Sequence, residues 1–70
     1  MKERRLAKVE LIIEQWRNLD GSCQFLWSVW RDGHRIQMSR PTESATDAET
    51  QGMNWCKRET GNAPDSVTRL

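Results

Sequence analysis

The side chains able to do covalent, acid–base or ligand chemistry are few and far apart. His34 is the one histidine, and Cys23 and Cys56 are the two cysteines. A histidine beside a thiol or carboxylate serves as a general base, and a thiolate as a nucleophile or metal ligand. His34 instead flanks an Asp32-Gly33 turn signal, and the pairing that the turn predicts brings no cysteine to it. A metal centre needs three or four ligands, and one His with two separated Cys falls short. Two cysteines make no disulfide framework; they read as two small half-buried thiols of a reducing compartment, although a bridge could form if helix and strand end meet. Asp20, Asp32, Asp47 and Asp65 fall on turns, a helix cap and the tail, where structural roles account for them. There is no glycine-rich phosphate loop, nucleophile elbow or His-Glu zinc pattern. No catalytic residue, metal, cofactor or small-molecule substrate is therefore expected, and the chain reads as a non-enzyme.

Tryptophan is the unusual residue: four, with no tyrosine and one phenylalanine, in 70 residues. The elements that position these rings follow from two turn signals. Asp32-Gly33 separates Phe25-Leu26-Trp27-Ser28-Val29-Trp30-Arg31 from His34-Arg35-Ile36-Gln37-Met38-Ser39. That is the pattern of a hairpin closed by a type I′ turn. Asn18-Leu19-Asp20-Gly21 suits a hairpin loop with a glycine bulge, and Lys8-Val9-Glu10-Leu11-Ile12-Ile13-Glu14-Gln15-Trp16-Arg17 precedes it. This first segment fits two readings. Leu6, Val9, Ile13 and Trp16 have helical spacing, while Val9, Leu11 and Ile13 alternate as in a strand.

Counting back from the first loop pairs Ile13 with Trp27 and Leu11 with Val29. Counting from the second pairs Val29 with Ile36 and Trp27 with Met38. Both turns gather Val9, Leu11, Ile13, Phe25, Trp27, Val29, Ile36 and Met38 on one apolar face, the agreement expected of a real sheet. The expected fold is α+β, a three-stranded antiparallel meander packed on one C-terminal helix. The alternative is an N-terminal helix, a β-hairpin and a C-terminal helix. Thr46-Asp47-Ala48-Glu49 has capping-box spacing with Thr46 as N-cap. Ala48, Gly52 and Trp55 recur at helical spacing, and Gly61 is a stop. Trp27 and Trp55 are expected to be buried together. Residues 1–61 read as one small domain, with residues 1–7 a basic arm and residues 62–70 a flexible tail without periodicity.

The opposite sheet face is then left without cover. It carries Ile12, Trp16, Leu26, Trp30 and Arg35, with Glu10 and Arg35 flanking Trp30. An apolar patch rimmed by charge marks an interaction surface, and Trp and Arg are the residues that anchor one. A protein partner, or a second copy forming a homodimer, is the expected ligand. Lys2, Arg4, Arg5, Arg31, Arg35 and Arg40 are the candidate nucleic-acid contacts. Against a strongly basic, nucleic-acid-binding character stand 11 basic and 10 acidic side chains, net +1. No apolar run reaches the ~18 residues of a membrane span, and no signal peptide is read, so a cytoplasmic protein is expected.

The stretch Trp27-Ser28-Val29-Trp30-Arg31-Asp32-Gly33-His34-Arg35, with Thr46-Asp47-Ala48-Glu49 and Trp55, resembles the hairpin-then-helix part of AP2-like arm-binding domains of phage and transposon integrases. The resemblance spans residues 25–57. It implies three strands and a helix, with DNA on the sheet and Arg35, flanked by Arg31 or Arg40, in the role of the family's basic residues. Glu10, Glu14 and Leu26 depart from that family's Arg-, Lys- and Thr-rich sheet, and no recombinase segment is present. The expected role is a small phage or mobile-element regulator or inhibitor that occupies a partner's surface. A DNA-binding domain using the same face and the basic arm is the alternative.

Overall fold

The computed structural model describes residues 8–70. Four strands and one helix follow in the order β1 (Val9–Arg17), β2 (Cys23–Arg31), β3 (His34–Met38), α1 (Ala45–Thr60) and β4 (Ser66–Arg69). The sheet order is β3-β2-β1-β4. The architecture is α+β, a mixed four-stranded sheet with one helix on one face.

The strand reading of residues 9–17 holds, because both turns form as their residues dictate. Asn18 and Ser22 close the first loop, with Asn18 N–H donating to the Ser22 carbonyl at 2.8 Å and Gly21 N–H to the Asn18 carbonyl at 3.0 Å. Gly21 takes φ 92°, the left-handed region that glycine enters freely. Ser22 donates its N–H and its hydroxyl to the Asp20 carboxylate. The second turn has φ 51° at Asp32 and 84° at Gly33, the two positive values a type I′ turn requires. The resulting β1–β2 register pairs Leu11 with Val29 and Ile13 with Trp27.

The first half of β3 follows the same logic, with Arg31 opposite His34 and Trp30 opposite Arg35. A bulge at Val29/Trp30 then inserts Ile36, so Val29 faces Gln37 and Ser28 faces Met38. A one-residue shift moves every later side chain to the other face. The expected Val29–Ile36 and Trp27–Met38 pairs are therefore replaced. Ile36 and Met38 are exposed rather than core: the bulge turns Met38 to the face away from α1, and among the described residues α1 packs chiefly on β1 and β2.

The core is Val9, Leu11, Ile13, Trp27 and Val29 from the sheet against Ala48 and Cys56 from the helix, with Phe25, Ala45, Met53 and Trp55 packed around it. Gly52 lies in the same helical row as Ala48 and Cys56 and is buried. A methyl group built there would overlap Leu11 Cδ1 and sit 3.0 Å from Cδ2, so the missing side chain is what lets helix and sheet meet. Trp27 and Trp55 form a tilted pair with ring centroids 6.1 Å apart, inside the favourable range for aromatic contacts. Trp55 is only half-buried, so the pair closes the core at its margin.

The helix begins two residues before the expected cap. Ser44, in extended conformation, accepts the Asp47 N–H on its side chain, and Thr46 lies inside the first turn. Ser44-Ala45-Thr46-Asp47 has the same spacing as Thr46-Asp47-Ala48-Glu49, and the earlier start brings Ala45 onto the core. Gly61 ends the helix at φ 85°, donating to the Lys57 carbonyl.

Residues 66–69 are a strand rather than an aperiodic tail. β4 runs parallel to β1, pairing Glu10 with Ser66 and Ile13 with Arg69. α1 thus serves as the long crossover that a parallel strand requires. Asp65 anchors the junction: its N–H donates to the Val9 carbonyl, and its carboxylate accepts the Val9 N–H at 2.8 Å. Asp32 makes the equivalent pair of bonds with Lys8. Two aspartates therefore fasten the start of β1.

Candidate functional site

Side chains alternate across a strand, so the even-numbered residues of β1 and β2 point away from the helix. Register places Glu10, Trp30 and Arg35 in one row of this open face. Ile12, Ser28 and Met38 form the next row, followed by Glu14 with Leu26 and Trp16 with Gln24. From β4, Ser66 and Thr68 extend the first two rows beside Glu10 and Ile12. Among the described residues, α1 covers the other face and no element covers this one.

Ile12, Leu26, Trp30 and Arg35 are thus brought together. Trp16 lies three rows from Trp30, about 20 Å along the strands, toward the hairpin tip. Met38 joins the patch because of the bulge. No sequence pattern marks that bulge, and unbroken alternation places Met38 on the core face instead.

The two indoles are held in the same way. Trp30 Nε1 donates to Ser28 Oγ at 2.9 Å, and Trp16 Nε1 donates to Glu14 Oε1 at 2.8 Å. Each ring therefore reaches the residue two positions earlier on its own strand. Trp30 shields Ser28, which is 3% exposed despite lying on an uncovered face. The Arg35 guanidinium lies 6.0 Å from the Trp30 ring centroid, a cation–π arrangement that steadies both groups. With their N–H groups satisfied, the indoles have only apolar ring surface left to expose. The polar-x-Trp spacing of Glu14-Gln15-Trp16 and Ser28-Val29-Trp30 is the sequence signal for this tethering.

The other candidates do not converge. Arg31 and Arg40 are exposed at the end of β2 and beyond β3. Lys2, Arg4 and Arg5 lie outside the described residues. Arg35 shares its face with Glu10 and Glu14, carboxylates that repel a phosphate backbone. His34 is exposed beside the Asp32-Gly33 turn. Cys23 accepts a hydrogen bond from Gln15 Nε2 at 3.2 Å. Cys56 is buried in the core, where desolvation pushes its thiol pKa up. Both cysteines are free. The Ser22 hydroxyl and N–H lower the Asp20 carboxyl below its usual range, which ties that aspartate to its turn. Among the described residues, no three His, Cys, Asp or Glu side chains group as a metal site, and no helix is long and apolar enough to cross a membrane.

Compared with family models, curated proteins and solved structures, the chain matches none. The likeness to AP2-like arm-binding domains accordingly stands on the residues quoted for it.

Proposed function

We propose that this protein is a non-enzymatic interaction module that binds a protein surface through the open sheet face, with Trp30 as its anchor and Ile12, Leu26, Met38 and Arg35 around it. The observation that supports this reading is the state of Trp30. It lies on a sheet face that no described element covers, its N–H is bonded to Ser28, and Arg35 flanks its ring. Interfaces are anchored by such rings, set in an apolar centre with charge at the rim. Trp16 extends the surface toward the hairpin tip, where Leu19 is fully exposed.

The test is capture of partners from host lysate by immobilised protein, comparing wild type with Trp30→Glu and with Asn54→Glu on the exposed side of the helix. Loss of the captured partner with Trp30→Glu and retention with Asn54→Glu is expected. Equal capture by all three contradicts the assignment.

A further inference from the structure

The open face carries an arrangement that is complementary to itself. Across the sheet, the first row reads Glu10, Trp30, Arg35, with one charge of each sign a single strand spacing, about 4.8 Å, to either side of the indole. The second row reads Ile12, Ser28, Met38, apolar on both flanks. Leu26 follows on β2, again in the middle strand.

A two-fold axis running along β2 in the plane of contact exchanges the flanking strands of two facing sheets. Trp30 then meets Trp30 of the second copy, and Leu26 meets Leu26. Ile12 meets Met38, and Glu10 meets Arg35, each twice. Lys8, whose Nζ lies 3.9 Å from Glu10 Oε2, borders this row on the same copy. An axis perpendicular to the strands and through the Trp30 row would instead set Glu10 against Glu10 and Arg35 against Arg35. With Trp30 on the axis, the charges therefore select one of the two orientations, which is how rim charges fix register. Sheet twist rotates aligned sheets by about 30°. That displaces the distant Trp16 row most, while the long Glu10 and Arg35 side chains can follow the smaller shift at their own row. A two-fold contact uses one patch on both partners and closes after two copies.

We infer that the occupant of the open face is a second copy of this chain, docked sheet to sheet about an axis along β2, with Glu10 of each copy paired to Arg35 of the other. This rests on the reading of the open face as a protein-binding surface and names its partner.

The test uses charge reversal and mixing. Glu10→Arg alone sets two arginines against each other at both rim positions, and Arg35→Glu alone sets two glutamates. Mixing the two variants restores an opposite-charge pair at both positions. Sedimentation equilibrium across a micromolar-to-millimolar series is the readout, with circular dichroism melts showing that each variant is folded. Wild type is expected to be a dimer, each single variant to dimerise at least tenfold more weakly, and their equimolar mixture to recover the wild-type association. A monomeric wild type, single variants that dimerise as wild type does, or a mixture no stronger than its components overturns the proposal. A monomeric wild type whose captured partner is still lost with Trp30→Glu removes the second copy alone. A dimer indifferent to Trp30→Glu removes the open face as its interface.

Discussion

Gly52→Ala is the substitution whose outcome depends most sharply on how close helix and sheet stand. In an ordinary helix interior, alanine is more favourable than glycine by about 1 kcal/mol. Here the added methyl would overlap Leu11 Cδ1 and lie 3.0 Å from Cδ2 and 3.2 Å from Cγ. Leu11 is 0% exposed, so its branched end has no free space to turn into. Overpacking of this kind costs about 1–3 kcal/mol. Set against the propensity gain, the net effect is a destabilisation of up to about 2 kcal/mol. For a domain of this size that lowers Tm by up to about 15 °C.

The control is the same substitution in a Leu11→Val background. Leu11→Val removes both Cδ atoms and alone costs about 1 kcal/mol. With those atoms gone, Gly52→Ala should change sign and stabilise that background by up to about 1 kcal/mol. Urea melts of the four proteins give the double-mutant cycle, whose coupling energy is expected to be about 2 kcal/mol. Stabilisation of the wild type by Gly52→Ala, or a coupling energy near zero, refutes the close approach of α1 to β1.

Other consequences follow from single contacts. A thiol reagent at pH 8 should label Cys23 in the folded protein and Cys56 only on unfolding, because burial keeps the Cys56 thiol protonated and out of reach; equal labelling rates would show that the core is open. Truncation after Gly61 removes β4 and the Asp65 bonds to Val9, and should cost on the order of 3 kcal/mol from several lost backbone bonds; an unchanged melting curve would return residues 62–70 to the status of a tail. The Asp20 carboxyl should titrate below 3.8 by NMR, and Ser22→Ala should move its midpoint back up. Since the folded pKa is the lower one, this contribution to the turn is present above the usual carboxylate range and lost as pH falls through the folded value. A midpoint that Ser22→Ala leaves unmoved would remove the hydrogen bonds as its cause.

The hairpin β1–β2 was legible because three independent local signals agree on it: the Asn18–Gly21 loop, the Asp32-Gly33 turn and the alternation of Val9, Leu11 and Ile13. The open face was legible for the same reason, since once the register is known, Ile12, Leu26 and Trp30 can only point away from the helix. What escaped depends on contacts distant in sequence. β4 has only Val67 and Thr68 to recommend it as a strand, and its pairing partner lies 56 residues away at Val9–Asp65. The bulge at Ile36 adds one residue that alternation cannot foresee, and it moved Met38 from the core to the open face. Two capping patterns overlap at the helix start, and the packing of Ala45 on the core decides between them.

On association the open face is expected to be covered and the helix face is not. Brief oxidation with hydroxyl radicals, read by mass spectrometry on the free and the associated protein, measures this at single side chains. Trp30 and Met38 are expected to be oxidised in the free chain and protected in the complex, whereas Trp55 and Met53 on the helix side react equally in both. Protection of Trp55 and Met53 with Trp30 and Met38 unchanged would place the interface on the opposite side of the molecule and overturn the open face as the binding surface.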